Sequence, residues 1–194
     1  MTPVLLLDVD GVLNALGDGL PDTTIWPRWH RGDASADGMT WPIVFSLDVV
    51  EQLRDWHASG RVELQWLTTW GHSANGTLRH LLGFPELVVA GTYDDVPSGG
   101  EAGTTAVAHA AVAPSAPDPL SGQWWKYDAA QRVLAAYPGR LVIWVDDELH
   151  DPDGPFRNWA FDQPDLHAVG PAPLTGLTPD DLAVIDRLLR KDDR

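Results

Sequence analysis

The run PVLLLDVDGVLN near the N-terminus, an unbroken apolar stretch that stops at Asp8 and Asp10, constrains this chain more than any other segment. A strand apolar at every position must be covered on both faces, which is the condition of a central strand in a parallel sheet. Two later runs repeat the pattern: VELQWLTTW arrives at Thr68 and Thr69, and RLVIWVDDELHD arrives at Asp146 and Asp147. Helix-like segments lie between the runs. Such alternation points to an α/β fold whose parallel strands are joined by right-handed crossovers.

Ser46 is placed to cap a helix on which Val49, Val50, Leu53 and Trp56 share a face and which Gly60 stops. A second helix is expected over 73–82, with Leu78, Leu81 and Leu82 inward, followed by a short strand over 87–90. Lys126 opens the helix-like WWKYDAAQRVLAAY, which ends at Pro138 and Gly139 and feeds a strand over 141–145. A final strand over 166–169 precedes a helix begun by Thr178 and Pro179, with Leu182, Ile185, Leu188 and Leu189 on its inner face. Two segments break the alternation. Residues 14–45, rich in Trp, Pro, Gly and Asp, read as a long irregular flap, and 91–122, rich in Ala, Gly, Pro and Ser, reads as a mobile insertion with no core of its own.

With 194 residues, 44% of them apolar, the expectation is a single domain over 1–194 with one full core. A formal charge of -15 repels polyanions, so extended nucleic-acid binding and binding to anionic membrane are not expected. The absence of cysteine removes disulfides, thiolate nucleophiles and cysteine-bound zinc. The N-terminal apolar run is too short for a signal peptide, and no stretch approaches the roughly 20 apolar residues of a membrane span. A soluble, cytoplasmic protein is expected.

Ligands of open parallel sheets collect at the carboxyl ends of the strands, where all three polar clusters fall. Carboxylates converging there would resist ionisation unless a cation joined them. Oxygen donors without paired His or Cys favour magnesium over zinc. His72 and His150 lie beside the clusters, but solvated side chains are the expectation for both.

In their order, the DVDG, LTTW, WWK and VDDE pieces resemble the haloacid dehalogenase (HAD) superfamily of aspartate-nucleophile phosphotransferases, over residues 4 to about 151. The last three are also similar to small bacterial HAD domains that include ones associated with RNA repair. The resemblance implies a three-layer Rossmann-like fold, with a mainly parallel central sheet and a small flap in place of a large cap. It further implies that Asp8 is the nucleophile, Asp10 the general acid and base, Thr68 a phosphoryl-binding hydroxyl and Lys126 the cation that offsets charge. Magnesium would be held by Asp8, the Asp10 backbone carbonyl, Asp146 and Asp147. Thr69 replaces Thr68 if the strand runs one residue further, and Asp151, spaced from Asp147 like a helical turn, is a further metal-shell candidate.

Trp26, Trp29 and Trp41, interleaved with Arg28, His30 and Arg31, fall in the flap. They read either as a hydrophobic cover for the sheet, the preferred reading, or as a stacking surface for a base or sugar. Trp29, Arg31, Thr69 and Trp70 are therefore candidate substrate contacts. The function implied is magnesium-dependent hydrolysis of a small phosphomonoester through an aspartyl phosphate, with a nucleotide or a nucleic-acid terminal phosphate among the candidate substrates. Phosphoryl transfer to a sugar or nucleotide acceptor, and a non-catalytic binding module on the same fold, are the alternatives.

Overall fold

Val4–Leu7 (β1), buried at every residue, is the middle strand of a five-stranded parallel sheet. The computed structural model describes residues 1–16, 22–95 and 124–191. After β1 come Trp29–Ala36 (β2), Met39–Ser46 (β3), Glu63–Trp66 (β4), Val88–Val89 (β5), Val142–Val145 (β6) and Leu166–Val169 (β7). The helices are Leu47–Ala58 (α1), Thr77–Leu82 (α2), Trp125–Ala136 (α3), Pro155–Asp162 (α4) and Pro179–Lys191 (α5). The sheet order is β5-β4-β1-β6-β7. The chain thus builds outward from β1 on one side, then returns to build on the other, and the reversal beside β1 is where such sheets open a crevice.

Alternate residues of the central strands feed separate cores. Leu5, Leu7, Leu64, Trp66, Ile143 and Val145 pack with the buried residues of α1, α2 and α5, whereas Val4, Leu6, Val142 and Trp144 pack with those of α3 and α4. Helices therefore cover both faces, as the apolar runs require. The expected helix faces are the observed ones: Val49, Val50, Leu53 and Trp56 are the buried residues of α1, and the Ser46 hydroxyl accepts from the Val49 N–H at its start. Among the described residues no helix is long and apolar enough to cross a membrane.

Three local expectations need correction. The flap is not irregular beyond residue 28: β2 and β3 form an antiparallel hairpin, closed by Asp37 (φ 51°) and Gly38 (φ 78°). A two-residue Asp-Gly loop with both φ positive matches the right-handed twist of its strands. Ala34, Ile43 and Phe45 root the hairpin in the core, and Thr77 of α2 accepts from the Ser35 N–H at 2.6 Å. The helix expected over 73–82 is two pieces, a 3-10 turn Gly71–Asn75 and α2, separated by Gly76 with its non-helical ψ of -127°. Helix α4 was not expected at all. The insertion expected over 91–122 lies, from residue 96 on, outside the described residues; before it, Tyr93–Asp95 make a 3-10 turn.

Candidate active site

Each of the three inner strands delivers a polar residue within two positions past its carboxyl end. Asp8 follows β1 and its N–H still donates to Val145 O (3.1 Å); Asp146 follows β6 and donates to Val169 O (3.1 Å). On β4 the ladder continues through Leu67, which donates to Leu7 O (3.0 Å), and so sets Thr68 beside Asp8. Asp8, Thr68 and Asp146 are all buried.

Lys126 joins them from the first turn of α3. Its ammonium donates to Asp8 Oδ2 at 2.5 Å and to Asp146 Oδ2 at 2.8 Å, itself buried and lying 5.6 Å from the Trp124 ring centroid. A cation at a helix start works against the helix dipole. The two carboxylates supply the compensating attraction, which explains a placement the helix alone disfavours.

Asp147 completes a group of three carboxylates, with Asp8 and Asp146, whose oxygens lie within 4.8 Å of one another. Gly11 makes room for it. That residue sits at φ 71°, and a Cβ there would lie 2.3 Å from Asp147 Oδ2, so glycine is required on both counts.

The carboxylates outnumber the one ammonium, and their protonation reflects it. Burial pushes the Asp8 carboxyl above its ordinary value, against Lys126 and the hydrogen bonds from Val9 and Thr68. Burial and the Asp8 charge push Asp146 up to about 8, again against Lys126. Burial and Asp8 raise Asp147 as well. For Lys126, burial favours the neutral amine, but Asp8 and Asp146 outweigh it and hold the group above its usual range. Excess negative charge among oxygen donors suits a hard divalent cation such as magnesium, so the residues present fit such an ion.

Asp10 lines a cavity of about 570 Å³, to whose lining Asp8, Asp146 and Asp147 do not contribute. Both of its carboxylate oxygens accept hydrogen bonds: Oδ1 from Asn14 Nδ2 (2.8 Å) and Oδ2 from Trp70 Nε1 (2.9 Å). Asn14 in turn accepts from the Val44 N–H at 2.9 Å, tying the loop that carries Asp10 to the hairpin. The opposite wall of the cavity is the hairpin end, with Ala36, Asp37, Met39, Trp41 and Pro42.

Asp8, Thr68, Lys126, Asp146 and Asp147 come together as the sequence suggested. Between the two threonines, Thr68 is buried against Asp8, while Thr69 is exposed and lines the cavity beside Trp70. Asp151 stays out of the carboxylate group: the helical turn ends before it, and its Oδ1 accepts from the Asp153 N–H in an exposed turn.

The flap tryptophans divide. Trp26 is buried and donates to Leu177 O (2.8 Å), Trp29 packs partly against the core, and Trp41 alone lines the cavity. Trp29 and Arg31 are thus not among the cavity residues, nor are His72 and His150. Asn14, Asp37 and Met39 were not singled out from sequence. Their positions depend on the hairpin, and the Asp37-Gly38 pair was the signal that announced it.

Comparison with family models, curated proteins and solved structures finds no match to this chain.

Proposed function

We propose that this protein is a magnesium-dependent phosphatase of the HAD type, hydrolysing a phosphomonoester through a phosphorylated Asp8. The observation that carries the reading is the buried Lys126 ammonium shared between Asp8 and Asp146, at 2.5 and 2.8 Å, beside a third carboxylate. A purely structural ion pair would need one carboxylate. Burying several at a strand-end crevice costs stability and has a chemical rationale at a site that handles cations and anions together.

In the proposed reaction an Asp8 carboxylate oxygen attacks phosphorus, forming the aspartyl phosphate as the bond to the leaving alcohol breaks. Asp10, at the mouth of the cavity, donates a proton to the departing oxygen and later removes one from the water that attacks the aspartyl phosphate, releasing phosphate and restoring Asp8. Thr68 donates its hydroxyl to a phosphoryl oxygen. Lys126 stays protonated throughout and offsets charge on Asp8 and the transferring group. Asp8, Asp146 and Asp147, with the Asp10 carbonyl, would hold magnesium, which when bound neutralises phosphoryl charge.

The test is turnover of an aryl phosphate with magnesium present, comparing the native chain with Asp8→Asn. Loss of turnover on the order of 10⁴-fold with an unchanged circular dichroism spectrum is the expected result. An unchanged rate removes the nucleophile from Asp8 and the reading with it.

A further inference from the structure

We infer that the alcohol released at this site is a compact apolar or aromatic group bearing no further phosphate or carboxylate, seated between the hairpin end and Asp10. This rests on the phosphatase reading above and narrows it. The cavity is lined by Asp10 and by Thr69, the neighbour of Thr68, so on the phosphatase reading the group whose oxygen Asp10 protonates as it leaves phosphorus is the one this cavity receives. Its walls include Leu16, Met39, Trp41, Pro42 and Trp70. Leu16, Met39 and Trp41 remain 45%, 55% and 47% exposed, in a protein whose other large apolar side chains are mostly buried. Adjacent exposed apolar groups at a site mouth are the mark of a surface that an apolar ligand covers.

Charge points the same way. Among the described residues, the ionisable side chains lining the cavity are Asp10 and Asp37, both acidic. Segments 17–21 and 96–123, the internal stretches outside the described residues, contain neither lysine nor arginine, so they supply no fixed cation to a second anionic group. A substrate with another phosphate, including a nucleic-acid end with its neighbouring phosphodiester, would bring negative charge toward Asp37 without compensation. A volume of about 570 Å³ suits a small ligand, and the exposed Trp41 indole offers a face for a flat ring to stack on, while Trp70 is buried and held by Asp10.

The experiment uses the full chain with magnesium and four probes: acetyl phosphate, benzyl phosphate, a nucleoside 3′,5′-bisphosphate and a 5′-phosphorylated oligonucleotide. Benzyl phosphate should exceed the bisphosphate and the oligonucleotide in kcat/KM by about 100-fold, chiefly through KM. Trp41→Ala should lower the ratio of benzyl to acetyl phosphate kcat/KM about tenfold. Asp37→Asn, which keeps a residue tolerant of the same backbone, should raise the ratio of bisphosphate to benzyl phosphate about threefold. Asp8-dependent hydrolysis of acetyl phosphate together with a preference for the bisphosphate or oligonucleotide overturns this inference and leaves the phosphatase reading standing. No Asp8-dependent hydrolysis of acetyl phosphate overturns both.

Discussion

Asn14 holds Asp10 from one side at 2.8 Å while its own carbonyl oxygen accepts from Val44 of the hairpin, so the orientation of the proposed acid and the seating of the hairpin share one side chain. Asn14→Ala should leave the Val44 N–H without its partner and cost about 1–2 kcal/mol in denaturant unfolding. On the phosphatase reading, the same change should lower kcat about tenfold by loosening Asp10. A change in stability with kcat intact would confine Asn14 to a structural role.

Lys126→Met tests the buried charge balance. Removing the ammonium leaves Asp8 and Asp146 facing each other in a desolvated site, at an expected cost of about 3 kcal/mol at neutral pH without metal. Magnesium should restore part of that loss. Urea unfolding with chelator and with magnesium measures both.

The raised Asp146 carboxyl sets a pH dependence in the metal-free protein. Between the ordinary value of 3.8 and about 8, the folded state retains a proton that the unfolded chain has released. This contribution is therefore fully present below 3.8 and is lost progressively as pH rises toward 8. Magnesium competes with that proton, so the rise in Tm on adding it should be greater at pH about 8 than at pH about 5. A rise independent of pH would place the ion elsewhere.

Gly11→Ala should act on Asp147 specifically. The new methyl group meets that carboxylate at 2.3 Å and adopts an unfavourable φ of 71°. An expected destabilisation of about 1–3 kcal/mol should accompany weaker magnesium binding, read by calorimetric titration. Normal affinity would remove Asp147 from the ion's surroundings.

The parts of the fold that the sequence made legible are those whose burial is uniform. β1 and β6 are apolar at every residue, and α1 has one unbroken apolar stripe ended by a cap and a glycine, so pattern and environment coincide. The hairpin escaped because most of it is exposed: β2 reads WHRGDASA, with only Ala34 buried, and tertiary contacts with α2 organise it where its own periodicity does not. Helix α4 is eight residues with one buried position, Ala160, and Pro155 at its start was its sole clear marker. Asp8 and Asp146 could be grouped in advance because each follows a strong apolar strand, and Lys126 was joined to them by the resemblance its WWK segment carries. Asn14 could not, since its partners are set by a segment whose path the pattern did not reveal.

Leu177 has a wider bearing than its position near the last helix suggests. Its N–H donates to Val12 O at 2.9 Å, just behind the Asp10 turn, and its carbonyl receives the Trp26 indole at 2.8 Å, at the foot of the hairpin. Leu177 lines neither the cavity nor the carboxylate group, yet its backbone ties the turn after Asp10 to the segment that leads into the hairpin. Shortening or lengthening the connection into α5 would register some 165 residues upstream, at Val12 beside the Asp10 loop, so these two distant segments are not free to change independently.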